Sequence, residues 1–375
     1  MHRLLAYLWK DKVFIIAFFL ALISCFIVHP SIAYLSYINY KVLIIMFTLM
    51  IAVAGLYEAN VFSFIAIKLV SRFYSIKWIA LVIVLATFFL GMWVTNDAVL
   101  LTLVPFTLFV TKQTQQEKYA LTIVILQTLA ANLGSALTPM GDPQNIYLYA
   151  YYNIPFASFI GAMLPITITG LILLTIVTLV LIPSIPCHTV TVSPKISSKK
   201  IYIYLLIFIN ALLAVLRIVP EWYTFGITVF LTVIFSAHLL KKVDYTLLLT
   251  FFSFFIFTGN LGQITVIKEL VSSYLENPVS VYFSGLFTSQ FISNVPSAVL
   301  LSTFTDTSYW KPLLQGVNVG SMGTLIASLA SLITFKFVIK DFPDQGKTYV
   351  RTYTLLCIIF VLIITGVVFI FSNYI

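Results

Sequence analysis

The chain has 375 residues, 61% of them hydrophobic and only 9% charged, whereas a soluble domain carries about 25% charged residues. That composition excludes a soluble domain of useful size and requires a polytopic membrane protein, because apolar runs of roughly 17 to 25 residues recur from end to end. The net charge of +9 comes from Lys and Arg in short loops between those runs, as the positive-inside rule expects, and gives no ground for a nucleic-acid partner.

The chain opens with a basic segment, His2–Lys12, followed by the apolar run Val13–Val28. This pattern suits a signal peptide, and Leu22-Ile23-Ser24-Cys25 resembles a lipoprotein cleavage box. A first transmembrane helix is the better reading, because a counterpart helix opens the second half of the chain without any such signal. Apolar run and length then predict spans at 13–34, 41–58, 119–153, 155–183, 201–219, 222–240, 244–259, 312–336 and 353–373. The mixed stretch Ala59–Lys77 reads as an interfacial amphipathic helix. Two further apolar stretches, 78–111 and 279–304, each carry an Asn break in the middle. Both read as helical hairpins that enter the membrane and return; for the first, two ordinary spans joined by a polar turn are the alternative. Cys25, Cys187 and Cys357 show neither metal spacing nor an evident disulfide pair, and the four His residues lie near segment ends.

Charge sets the orientation. With the N-terminus in the cytoplasm and both hairpins re-entrant, only Lys41, Arg217, Lys268 and Lys311 of the 21 Lys and Arg residues fall outside. The C-terminus is then external. The first hairpin opens from the cytoplasm between Lys68, Arg72, Lys77, Lys112 and Lys118. The second, with Glu269, Glu276 and Asp306 around it, opens from outside.

The halves also echo each other in sequence. Ile38-Asn39-Tyr40-Lys41-Val42-Leu43 recurs as Val243-Asp244-Tyr245-Thr246-Leu247-Leu248, and Ala98-Val99-Leu100-Leu101 as Ala298-Val299-Leu300-Leu301. The predicted fold class is therefore an all-α polytopic membrane protein made of two inverted repeats, each with a re-entrant helical hairpin and a broken transmembrane helix. Residues 1–183 form the first repeat, 184–221 a cytoplasmic loop and linker helix, and 222–375 the second repeat.

Chemistry concentrates in the breaks. The first copy is Thr95-Asn96-Asp97, then Ala131-Asn132-Leu133-Gly134 running into Thr138-Pro139-Met140-Gly141-Asp142-Pro143-Gln144-Asn145. The second is Ser293-Asn294-Val295-Pro296, then Val317-Asn318-Val319-Gly320-Ser321-Met322-Gly323-Thr324. Polar, unwound backbone at membrane depth survives only where it is buried in protein or lines a cavity. A broken helix offers N–H groups that favour anions and carbonyls that suit small cations. Small polar residues also glue helices together, but four matched breaks in two halves favour a site. Asp97 and Asp142 are the only carboxylates placed near mid-membrane, and neither has a Lys or Arg in its own break. A bound cation or a proton is the expected compensation; for Asp142 a turn-forming role in Gly-Asp-Pro is an equal alternative.

These motifs resemble the ion-transporter superfamily that includes arsenite permeases, sodium/proton antiporters and sodium-coupled di- and tricarboxylate transporters. The resemblance covers nearly the whole chain. In the carboxylate members each hairpin tip carries Ser-Asn-Thr; here the tips read Thr95-Asn96-Asp97 and Ser293-Asn294-Val295. Asp97 facing the substrate would repel a polycarboxylate unless a cation covers it, which moves weight towards the arsenite-permease branch. The resemblance implies an elevator-like mechanism and a homodimer, and leaves a partner ATPase open.

The expected function is secondary transport of a small anion across the plasma membrane, coupled to sodium or protons, with the lipid bilayer and an anionic solute as partners and no other cofactor. The alternative is an arsenite exporter or sodium/proton antiporter of the same fold. An enzyme is not expected, since no His-Glu-x-x-His or Gly-x-Ser-x-Gly motif occurs. Thr95, Asn96, Ser293, Asn294, Asn318, Gly320 and Thr324 are the expected substrate residues. Asn96, Asp97, Asn132, Thr138, Gly141, Asp142, Asn145, Asn294 and Asn318 are the expected cation residues, with sodium as the metal ion.

Overall fold

The computed structural model describes residues 12–187 and 200–372. Within them all regular secondary structure is helical, with one isolated backbone bridge between Ser75 and Pro186. The basic N-terminal residues up to 11 and the polar residues 188–199 lie outside the described residues, and with them Arg3, Lys10, Lys195 and Lys199.

The helices fall into two series with the same order. The first comprises α1 (Lys12–Ile27), the short α2 (Tyr34–Tyr37), α3 (Tyr40–Glu58), α4 (Val61–Val70), α5 (Ile76–Gly91), α6 (Asn96–Gln113), α7 (Ala120–Ser135), α8 (Pro143–Tyr151) and α9 (Phe156–Leu181). After α10 (Ile201–Val215) come α11 (Glu221–Ser236), α12 (Tyr245–Gln263), α13 (Thr265–Ser273), α14 (Pro278–Ile292), α15 (Asn294–Ser302), α16 (Trp310–Val319), α17 (Leu329–Asp341) and α18 (Gly346–Ser372). Among the described residues, five helical segments are long and apolar enough to cross a bilayer, among them α3, α9 and α12. Large apolar side chains such as Ile172, Ile176, Val180, Leu362 and Ile370 face outward. The protein is an all-α polytopic membrane protein.

Local chemistry explains the helix ends. Asn39 caps α3 by accepting from the Val42 N–H at 3.2 Å, and Asp244 caps α12 by accepting from the Leu247 N–H at 3.0 Å. These are the two echoed positions, and each satisfies an otherwise orphaned donor. Pro143 and Pro278 occupy the first turns of α8 and α14, where no N–H is needed. α8 and α15 have nine residues each. At ~1.5 Å per residue each covers only about half of a ~30 Å hydrocarbon core.

Packing crosses between the series. α1 packs on α12, and α11 packs on α3. Within each series the hairpin arm lies on the broken helix: α5 on α7, and α14 on α16. Gly134 and Gly316 permit these approaches, for a Cβ would lie 2.0 Å from the Phe88 carbonyl oxygen in one and 2.2 Å from that of Tyr282 in the other.

Three expectations about local structure are corrected, and one helix is added. The first span ends at Ile27 rather than 34, because His29 precedes Pro30 and is steered away from helical backbone. Asn132-Leu133-Gly134 lies inside the last turn of α7, and Asn318-Val319 inside that of α16; the chain leaves the helix only at Ala136 and Gly320. The last helix begins at Gly346, seven residues before its expected start at 353. α13, the counterpart of the expected amphipathic segment that forms α4, went unread.

Candidate functional site

Four helices begin at one point. α6 starts at Asn96, α8 at Pro143, α15 at Asn294 and α17 at Leu329. A small void of about 10 Å³ lies between them, lined by Asn96, Asp97, Asp142, Pro143, Leu247, Asn294, Val295, Ser328 and Leu329. This is room for about one water-sized particle.

The breaks place the side chains. The Thr95-to-Asn96 turn starts α6 so that Asn96 is buried at 1% exposure. Its Nδ2 donates to Asp142 Oδ2 at 2.9 Å and to Asn132 Oδ1 at 3.1 Å, and its Oδ1 accepts from the Asp97 N–H at 2.8 Å. Thr138 donates to the Met92 carbonyl, tying the α7–α8 break to the first hairpin tip. At the second tip Ser293 takes a positive φ of 74°, a conformation that non-glycine residues seldom adopt. The turn lets the Asn294 N–H donate to the Ala327 carbonyl at 3.0 Å, while Ser293 Oγ donates to Asn294 Oδ1 at 3.2 Å.

The broken helices exchange bonds across the halves. Asn132 of α7 donates to the Ser321 carbonyl at 3.4 Å and accepts from Ser328 Oγ at 3.3 Å. Asn318 of α16 donates to Asn145 Oδ1 at 2.7 Å and accepts from Gln144 at 3.5 Å. Each matched Asn thus reaches the break of the opposite half.

Several buried polar atoms have no hydrogen-bond partner among the described residues: Asp97 Oδ1, Asn294 Nδ2, Ser297 Oγ and Gln144 Oε1. Buried polar groups are normally paired; of these four atoms, those of Asp97 and Asn294 belong to residues that line the void, which marks it as a place for a ligand.

Asp97 and Thr95 also line a larger cavity of about 420 Å³. Its walls are mainly apolar side chains of α3, including Met46, Leu49, Met50 and Val53, with Ala98 and Leu101 of α6, Ile146 of α8 and Leu247 of α12. Glu58, Lys242 and Asp244 line it as well, and Glu58 is paired with His238 at 2.8 Å. Asp97 therefore stands between void and cavity.

The structure gathers Asn96, Asp97, Asp142 and Asn294 at the void, with Asn132 one hydrogen bond away and Thr95 on the cavity side. Asn145 and Asn318 form a second polar cluster with Gln144. Gly141 packs against the Ser135 backbone and Gly320 against Leu286, so both serve close approach. Thr324 is not at the void; it is exposed and bonded to Gln290 of α14. Sequence reasoning missed Ser328, which stands before α17 as Asp142 stands before α8, and carries no motif. It also read Asp244 only as a repeat marker, although its place beside Lys241 and Lys242 was a usable signal.

The sequence profile described as citrate transporter matches residues 5–309. The chain is 33% identical over 305 residues to an uncharacterized transporter of Methanocaldococcus jannaschii, covering 80% of this chain and 81% of that one. It is 31% identical over 303 residues to the inner membrane protein YbiR of Escherichia coli strain K12, covering 80% of each. To a 46 kDa membrane protein of Mycobacterium leprae it is 24% identical over 339 residues, covering 79% of this chain and 78% of the relative.

Proposed function

Because this chain belongs to the citrate transporter family and is a membrane transporter, we propose that it carries a small anion across the cytoplasmic membrane by alternating access, driven by sodium or protons. The observation that carries this reading is the meeting of four helix N-termini at one void that shares Asp97, Pro143 and Leu247 with the larger cavity. Helix N-termini favour anions, and discontinuous helices near mid-membrane are how many secondary carriers build their sites.

The proposal includes the inverted repeat, with the N-terminus cytoplasmic and the C-terminus outside. Three ties support this topology, because each joins residues that the charge pattern puts on one face, and the charge bias itself supports the sidedness. Cys187 donates to the Tyr74 carbonyl, His238 pairs with Glu58, and Arg217 donates to the Tyr149 and Asn153 carbonyls. On that orientation the cavity opens to the cytoplasm. The hairpins and broken helices form the moving body, and α3 and α12 the wall along which it slides. On α3 that wall presents Met46, Leu49, Met50 and Val53 to the cavity, with Glu58 at the helix end, and its apolar part suits sliding contact.

Asp97, Asp142, Asn96 and Asn294 would hold the cation; Thr95, Ser293 and Asn294 would face the substrate. Two carboxylates at the void also favour a second reading, an exporter or cation/proton antiporter of the same fold. A thermal-stability screen of purified protein decides, crossing sodium, lithium and potassium with carboxylates, phosphate, sulfate and arsenite. Ligands that bind the native state raise its apparent stability. The proposal expects an anion that stabilises only together with its coupling cation. A response to sodium or pH with none to any anion would replace it with the antiporter reading.

A further inference from the structure

We propose that the cavity of about 420 Å³ beside the void binds an amphipathic organic cation, with its apolar body along α3 and its charged head on Asp97. This ligand class comes in addition to the anion proposed above and stands apart from it, because only the cavity and Asp97 enter.

The body of such a ligand is matched by one face of α3. Met46, Leu49, Met50, Val53, Ala54 and Tyr57 all line the cavity, and their spacing of three and four residues puts them on a single helical stripe. From Met46 to Tyr57 the stripe runs about 16 Å, at ~1.5 Å per residue. Leu101 of α6, Ile146 of α8 and Leu247 of α12 extend the apolar lining. The volume lies in the range of pockets that hold small organic molecules, and mainly apolar walls with a few polar groups are their usual lining. Two residues of the stripe are methionines, whose unbranched side chains adapt to ligands of varied outline.

Charge selects the head group. The cavity is lined by three acids, Glu58, Asp97 and Asp244, and by one base, Lys242. Two of the acids are engaged: Glu58 pairs with His238 at 2.8 Å, and Asp244 accepts from the Leu247 N–H at 3.0 Å. Asp97 is not. Its Oδ1 is buried and has no hydrogen-bond partner among the described residues. An organic anion meets one base against three acids here, whereas an ammonium head meets an unpartnered carboxyl oxygen beside an apolar slot. The charge balances in either protonation state of Asp97. The cation pairs with the carboxylate, or it displaces the proton of the acid, which leaves to solvent. A ligand so placed covers Asp97 from the cavity side and excludes any other cation from it.

The test titrates two probes of similar shape and opposite charge, naphthylmethyl-trimethylammonium and naphthylmethanesulfonate, into full-length purified protein in mildly alkaline, sodium-free buffer, with the thermal midpoint as readout. The ammonium should stabilise wild type and the sulfonate should not. Asp97→Asn should raise the half-saturating concentration of the ammonium by about tenfold or more, because it removes the charge partner. Leu101→Trp, at a residue 45% exposed and thus able to take a larger side chain, should weaken ammonium binding by filling the slot. Equal stabilisation by both probes, a stronger effect of the sulfonate, or no response to either overturns the proposal. So does an Asp97→Asn variant that binds the ammonium as wild type does. Should Asp97→Asn fail to fold, Leu101→Trp decides, since ammonium binding left unchanged by it puts the ligand elsewhere. Anion counterflow by wild type reports on the transport reading alone, so the failure of one reading is not mistaken for the failure of the other.

Discussion

At the scale of single residues, the site depends on side chains so small or so short that backbones can meet. Gly134 and Gly316 occupy matched places where a broken helix lies on its hairpin arm, and in each a Cβ would collide with a carbonyl oxygen of the neighbour. Backbone cannot move aside as a flexible side chain can, so Gly134→Ala and Gly316→Ala should each lose roughly 1–3 kcal/mol of stability or more. Gly226→Ala has no heavy atom within 4 Å of its new methyl group and should be neutral in the same thermal melts. Equal melting of all three would mean that the helices do not approach as closely as described. The asparagines were legible in the sequence, since a polar residue interrupting an apolar run already signals a buried break. Ser328 was not, because a serine announces nothing until folding brings it against Asn132. Thr324 was misread for the converse reason: it lies in the right motif, but its break is long enough to carry it to the surface.

At the scale of elements, the helix starts are better specified than the helix ends. Asn39 and Asp244 each accept from the backbone N–H three residues on. Asn39→Ala and Asp244→Ala should each cost about 1 kcal/mol. Asp244→Asn should keep most of the stability, since asparagine caps as well as aspartate does. Thermal melts check both statements, and an Asp244→Asn variant as unstable as Asp244→Ala would show that charge rather than capping holds that position. The hairpins and both broken helices were legible because the polar residues at each break stand out from apolar flanks. The precise breakpoints were not. Asn-x-Gly reads as a helix terminator, yet α7 and α16 carry it within their last turns, where burial and cross-half hydrogen bonds outweigh weak local propensity. α13 escaped notice because Thr265–Ser273 is short and mixed in polarity, with no basic cluster of the kind that marks its counterpart.

At the scale of the whole molecule, two series of helices in the same order bring their breaks to one place, and the bonds of Asn132 and Asn318 lace them together across the chain's midpoint. The membrane class was fixed by composition, and family membership follows from a match over residues 5–309. What no local pattern could convey is that α6, α8, α15 and α17 start at a common void, because that is a property of the packing of distant segments. The central claim is cation-coupled anion transport through that void. The most direct measurement reconstitutes the protein into liposomes and follows labelled anion uptake under an imposed sodium or pH gradient, beside counterflow with no gradient. The account predicts saturable counterflow in wild type and uphill accumulation only when a cation gradient is present, with accumulation lost in Asp97→Asn. Gradient-driven accumulation by Asp97→Asn at the wild-type level, or wild-type flux that neither saturates nor supports counterflow, would contradict it.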